Sequence, residues 1–490
     1  MTEESPRSSS GVVEHALRSS TVALEAAVVL ESSGVNDEAV RRGHGAAGVF
    51  TLVDRRFAGS GPWGPYAPPQ WVEPDARTSA AQAAPGARPT RWFFLRGLLY
   101  AVPAIVAFTL LPAADHVESA LLLGGLLLSW AGGYGMTYLA WAYIGNYDVP
   151  AAHRFLRRSV LLGTLVALVV AVVAVYASLL LTVTMQVSLW TVLLLVGQTV
   201  YLLSAAALLM AGRELRLLVA LLPAVAGAGY YAVAGGTAPP PGASLAAAAA
   251  HGPETLFLAV SVLLTLLFAL EATRDARRPV NRLVEGVTAS ALLHCAYGLL
   301  IGLLVLFPAL NELINDNFES LPMTVTLAAL PLVVSMGVAE VLLLDNRRQI
   351  AGLLRSTGSV AGFVRAARQV YLVMAARFAA ALTLMTVGLG GLGIALFGFS
   401  DLRYLSLGGT YVLLGVAIFA AMVLNTLGRI RLVLPVLGTG VAVLLAGAAG
   451  ADHTVSDSAA IAWLAAVTAV MAAVLVGIAH RVVSEAASHR

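Results

Sequence analysis

After residue 91 the chain alternates between long apolar runs and short polar ones. Twelve of the apolar runs approach the roughly 20 residues that a helix needs to cross a bilayer. Their expected limits are 92–113, 120–144, 159–183, 188–211, 215–233, 254–271, 285–308, 321–344, 372–398, 404–427, 431–450 and 459–480. The pattern predicts an all-α polytopic membrane protein with twelve transmembrane helices. The runs divide six and six about the polar stretch RDARRPVNRLVEG, and an even repeat unit keeps both halves in one orientation. Two six-helix lobes are therefore expected, 92–271 and 285–480, joined by a linker over 272–284 and followed by a tail over 481–490.

Residues 1–91 follow another pattern. Apolar positions in 1–57 suffice for a few short helices, and Ser33 or Asn36 is placed to cap the one containing Glu38 to Arg42. Gly, Pro, Ala and Ser dominate from Ala58 to Arg88, so 58–91 reads as a flexible linker. A small helical cytoplasmic head is expected, and it lacks the early apolar core of a signal peptide.

Composition agrees with lipid as the solvent. Of the 490 residues 59% are hydrophobic and 12% charged, against about 25% charged in a soluble domain. The single cysteine, Cys295, excludes a disulfide within the chain and a cysteine-based metal site, and reads as a small core residue. All 30 basic residues are arginine, and their placement says more than the net charge. With the N-terminus inside, Arg88 and Arg91 precede the first run. Alternate loops then carry HRFLRR, GRELR, RDARRPVNR, a long basic connector and GRIR, and Arg481 and Arg490 close the series. The intervening loops AADHVES, TVTMQV, GGTAPPPGASLAAAAAHGPE, FPALNELINDNFESL and ADHTVSDS carry no arginine; only Arg403 falls on the other face. Basic residues stay on the cytoplasmic side of short loops. Both termini are therefore expected on the inner face of a cytoplasmic membrane.

The long connector, 345–371, holds Arg347, Arg348, Arg355, Arg365 and Arg368. Val360, Phe363, Val364 and Ala367 fall at i, i+3, i+4 and i+7, with Arg365 and Arg368 on another face. Ile350, Leu353 and Leu354 make a shorter stripe before the break at Ser356-Thr357-Gly358-Ser359. This predicts two short amphipathic helices lying in the inner interface, apolar faces toward lipid and arginines toward headgroups. GNYDVPAAHRFLRRSV holds the corresponding place in the first half.

No HExxH, phosphate-binding Gly-Lys loop, CxxC or GxSxG motif is present, and the nine histidines are scattered. No enzyme activity, cofactor, metal or nucleic-acid partner is expected. Polar groups inside the runs are few, and each is costly in lipid. Glu340 and Arg377 lie one to two turns from the inner face on consecutive runs, where they are candidates for a gate ion pair; snorkelling is the alternative. Trp130, Tyr134, Tyr138 and Trp141 fall on one helical face of SWAGGYGMTYLAWAYIGNYD, an aromatic stripe that suits sugar rings and suits plain packing as well. His294, with Glu285 nearby, and Asn425 are further candidates for a substrate cavity, although His294 also suits a satisfied core position. Asn425 and Gln198 also suit hydrogen bonds between helices.

The stretch from LPMTVTLAALPLVVSMGVAEVLLLDNRRQIAGLLRSTGSVAGFVRAARQVYLVM through FSDLRYLSLGGTYVLLGVAIFAAMVLNTLGRIRLVLPVLG resembles the second half of the Pel polysaccharide exporter family. RWFFLRGLLYAVPAIVAF and VGQTVYLLSAAALLMAGRELRLLVALL have similar flavour in the first half, so the likeness covers about residues 92–480. It is a likeness of span layout rather than of a signature motif. It implies the multidrug, oligosaccharidyl-lipid and polysaccharide exporter and flippase superfamily: two six-helix lobes, a central cavity and alternating access without ATP. It also implies membrane lipids and a glycan or lipid-linked glycan as partners, with a cytoplasmic glycosyltransferase as a further one through residues 1–91. A major-facilitator transporter is the rival, but Val149-Pro150 follow Gly145-Asn146-Tyr147-Asp148 where that class carries a basic Gly-Arg turn. A membrane scaffold that recruits enzymes is the third reading.

The arginine alternation is open to direct test. Cysteine labelling is expected to reach residues 234–252 and 309–320 from outside, and residues 272–284 and 345–371 from inside. Labelling of residue 280 from the outer side would overturn the twelve-span reading.

Overall fold

The computed structural model describes residues 116–145, 148–180, 189–234, 253–274, 287–314, 323–356, 360–397, 402–450 and 457–483, with positions between 30 and 53 and between 95 and 99. Two compact units divide the chain, Met1–Ala87 and Arg88–Arg490. In the first, the described positions from Leu30 to Val53 are helical except at Gly45 and Ala46, and Leu30, Val40, Ala46, Val49 and Val53 are buried. The expected caps Ser33 and Asn36 and the linker over 58–91 lie outside the described residues.

The described residues of the second unit are helical and contain no strand. The helices are α1 (His116–Gly145), α2 (Val149–Leu180), α3 (Leu189–Met210), α4 (Glu214–Ala234), α5 (Pro253–Ala272), α6 (Val287–Val305), α7 (Phe307–Ile314), α8 (Met323–Ser356), α9 (Val360–Phe397), α10 (Leu402–Thr426), α11 (Ile430–Gly450) and α12 (Asp457–Val482). Among the described residues nine helices are long and apolar enough to cross a membrane, and Leu256–Ala272 is a shorter apolar helix. Lipid offers the backbone no partner, so each span closes its own hydrogen bonds. The chain is a multi-pass membrane protein. Pro223 interrupts α4, and the neighbouring Ala224 N–H donates instead to Ser261 Oγ on α5 at 2.8 Å.

Helices α1–α5 pack in a pattern that α8–α12 repeat. The principal contacts α1–α2, α1–α3, α2–α3, α3–α5 and α4–α5 have counterparts in α8–α9, α8–α10, α9–α10, α10–α12 and α11–α12. The turns repeat as well. Between α3 and α4, Gly212 takes φ 71° and Arg213 N–H donates to Leu208 O at 2.9 Å; between α10 and α11, Gly428 takes φ 72° and Arg429 N–H donates to Leu424 O at 2.9 Å. A left-handed residue closing a helix is a position that glycine fills without strain. Each set has its own apolar core. One contains Leu99, Met136, Leu156, Tyr201, Leu208 and Leu217. The other contains Tyr297, Leu304, Phe378, Tyr411, Phe419 and Leu437.

The two sets meet mainly through α6, which belongs to the second core and lies along α1. Leu127 and Trp130 face Gly302, Tyr134 faces Gly298, and Gly135 faces Ala291 and Cys295. Rising numbers on α1 meet falling numbers on α6, so the two helices run antiparallel. Small residues let the backbones approach. A Cβ on Gly298 would stand 2.6 Å from Tyr134 Cδ2.

The basic connectors depart from the expectation. Instead of separate helices lying in the interface, the described connector residues continue the long helices α8 and α9, of 34 and 38 residues. At 1.5 Å per residue they reach about 51 and 57 Å, well beyond a hydrocarbon core of about 30 Å. Ile350, Phe363 and Ala367 are buried in the second core rather than turned to lipid. The same i, i+3, i+4 stripe serves a packed hairpin as well as an interfacial helix. Arg347, Arg348 and Arg365 are exposed, Arg368 is half-buried, and the Arg355 side chain lies outside the described residues. Likewise HRFLRR is the start of α2, capped by Asp148, whose Oδ1 accepts from Ala151 N–H at 3.1 Å. Part of the loop expected after 308 is the short helix α7, with Phe307 and Ala309 buried.

Gly298→Ala is expected to lower stability by about 1–3 kcal/mol through overpacking. Gly132→Ala, where nothing stands within 4 Å of the added carbon, is expected to be neutral or slightly stabilising. Thermal unfolding of the purified variants measures the contrast.

Candidate functional site

A charged network joins the two helical sets. Ahead of α1, Leu95 and Leu99 anchor the described positions between 95 and 99 in the first core. Gly97 backs onto α8, where an added Cβ would collide with Val334 O and meet Gly337 N. This close approach brings Arg96 to the boundary. Its Nη1 donates to Glu340 Oε2 on α8 at 3.0 Å, and its Nε and Nη2 donate to Glu214 Oε1 at 3.0 and 2.7 Å. Glu214 opens α4, where the helix dipole favours a carboxylate. The side chains are 20% (Arg96), 4% (Glu214) and 26% (Glu340) exposed. A guanidinium forked between two carboxylates in so dry a place forms strong, charge-assisted bonds. It ties two elements of the first set to one of the second.

This corrects the partner expected for Glu340. Its guanidinium partner is Arg96, while Arg377 is exposed and lines a cleft with Asp345, Asn346 and Gln349. Spacing along adjacent helices placed Arg377 at the right depth, but depth does not fix the direction of a side chain. Arg96 and Glu214 were missed. The signal was present: Arg96 is the one charge within the apolar run WFFLRGLLY, and Glu214 is the lone carboxylate in AGRELR.

The aromatic candidates gather at the α1–α6 seam. Tyr138 stacks on His294 with ring centroids 3.9 Å apart, and Tyr134 meets Tyr297 edge-on at 5.5 Å. Trp130 packs beside the second core. Trp141 is the exception, 60% exposed on the outside of α1. His294 Nδ1 lies 2.7 Å from Ser290 O. These rings occupy one another's faces. Asn425 is half-buried at the end of α10, where its backbone carbonyl accepts from Gly428 N–H at 3.0 Å. Gln198 donates to Leu122 O on α1 at 2.9 Å, an interhelical bond of the kind its type suits. Glu285 lies outside the described residues.

Fold and site define a multi-pass α-helical membrane protein with two similarly packed helical sets and a buried charged tie between them. No family model matches the chain, and no curated protein matches it. Among solved structures it is similar to a crystal structure of MATE in complex with MaL6, with a TM-score of 0.43 and 14% identity over 80% of this chain and 94% of that one.

Double-mutant cycles on unfolding free energy distinguish the two pairings. Arg96→Gln and Glu340→Gln are expected to couple by about 1–3 kcal/mol, because each change removes the same charge-assisted contact between the two side chains. The cycle of Glu340→Gln with Arg377→Gln is expected to close within about 0.5 kcal/mol.

Proposed function

We propose that the protein is a membrane exporter or flippase that moves a glycan or lipid-linked glycan by alternating access. In this reading the twelve spans form two six-helix lobes with both termini cytoplasmic, and the lobes rock about a central cavity. The observation that carries it is the repeated packing of α1–α5 in α8–α12. Two copies of one bundle that touch chiefly through α6, and through the first span against α8, are built to move as bodies. The arginine alternation puts GRELR, and with it Glu214, at the inner face. The Arg96–Glu214–Glu340 network is then the latch of the inner gate. Parting the lobes takes Glu340 away from Arg96 while Arg96 keeps Glu214, so the latch opens by breaking one of its two ion pairs. An equilibrium of this kind shifts only as far as substrate binds one state better than the other.

The glycan assignment rests on the span layout that resembles the polysaccharide exporters, and a cytoplasmic glycosyltransferase at residues 1–91 follows from the same reading. Proteoliposomes holding the full chain and a fluorescent polyprenyl-diphosphate oligosaccharide test it. Protein-dependent movement of that lipid, without movement of fluorescent phosphatidylcholine, is the expected result. Uptake of a cationic dye with no movement of the glycan lipid would make it a small-molecule exporter. Movement of none of the three would leave the scaffold reading. In the same assay Glu340→Gln is expected to change the rate at least threefold, as about 0.7 kcal/mol on the gate equilibrium requires.

A further inference from the structure

The cleft between α8 and α9 carries polar groups that the latch does not use. Asp345, Asn346 and Gln349 line it from α8, and Val373, Met374 and Arg377 from α9. Asn346 is only 8% exposed, and its Oδ1 is buried with no hydrogen-bond partner. A buried acceptor left in that condition is costly. Asp345 takes one hydrogen bond, from Gln349 Nε2 at 2.8 Å. Arg377 shares the cleft, yet among the described residues Asp345 and Arg377 make no ion pair. A carboxylate and a guanidinium thus line one cleft without closing on each other. The exposed side chains Leu372, Val373 and Leu384 lie along the same helix.

We propose that this cleft binds the headgroup of a zwitterionic phospholipid with a primary ammonium. The ammonium donates to Asp345, the phosphate accepts from Arg377, and the acyl chains lie along the exposed apolar side chains of α9. A free anion would meet the repulsion of Asp345, and a free amine that of Arg377; a zwitterion satisfies both. The apolar surface beside the cleft selects a lipid over a soluble zwitterion. The inference rests on the membrane placement of α8 and α9 and requires no transport, so its failure leaves the transport reading standing.

Native mass spectrometry of the full-length protein in detergent, titrated with phosphatidylethanolamine, phosphatidylcholine and phosphatidylglycerol at equal concentration, provides the test. Phosphatidylethanolamine is expected to be retained about tenfold more than phosphatidylcholine, whose quaternary ammonium has no N–H to donate, the factor that one charge-assisted hydrogen bond contributes. Asp345→Asn is expected to abolish the preference and Asp345→Glu to keep part of it, which separates a lost contact from a lost fold. Arg377→Gln is expected to weaken all three lipids together. Equal retention of the three, retention of none, or a preference unchanged by Asp345→Asn would overturn the proposal.

Discussion

A guanidinium held largely out of water needs its countercharge within the protein, and in this chain Arg96 finds one in each of the two helical sets. Arg96 sits on a segment anchored in the first core, and its fork reaches Glu214 in the same set and Glu340 in the other. Such a buried pair adds little net stability over an apolar contact of the same size, because desolvation offsets most of the Coulomb attraction. What it supplies is selectivity. Arrangements that part Arg96 from Glu340 leave a charge in a poorly solvated place, so the network favours one disposition of the helices.

Close backbone approach is the second constraint, and glycine supplies it on both sides of the boundary. Gly97 backs onto the α8 backbone, and Gly298 and Gly302 receive Tyr134, Trp130 and Leu127 from α1. In lipid, packing rather than expulsion from water holds helices together. Each seam therefore sets a bulky face against a bare one. Part of the aromatic stripe on α1 is explained by this: Tyr134 fills the space beside Gly298 and meets Tyr297 edge-on, and Tyr138 stacks on His294. The repeated contacts of α1–α5 and α8–α12 put one such junction on each side, the first span on α8 and α6 on α1.

The long hairpin of α8 and α9 has a different cause. The helix runs unbroken from Met323 to Ser356, with Pro331 inside its apolar part, and nothing from Val360 onward stops α9 for 38 residues. The backbone thus stays helical beyond the hydrocarbon boundary. Ile350, Phe363 and Ala367 carry the apolar core outward with it. Exposed arginines then occupy the outer surface of a packed structure.

Which segments become membrane helices was legible from the chain alone. Apolar length decides it, since any segment of about 20 such residues is driven from water and must satisfy its own backbone. Among the described residues nine helices are long and apolar enough to cross a membrane, and each lies on one of the expected runs. The closing glycines, Gly212 and Gly428, and the cap at Asp148 are equally local and equally readable. The meeting of α1 with α6 was half legible: the stripe on one face of α1 was plain, but not that its partner was a line of small residues some 160 positions away. The pairing of charges was decided by tertiary structure. Periodicity gives the depth and face of Glu340, while its partner depends on the rotation and crossing of three helices, and the contact at Gly97 sets these by bringing Arg96 rather than Arg377 to the carboxylate. The amphipathic stripe of the connector met the same limit. A sequence states that a face is apolar, and only the packed structure states whether lipid or protein covers it.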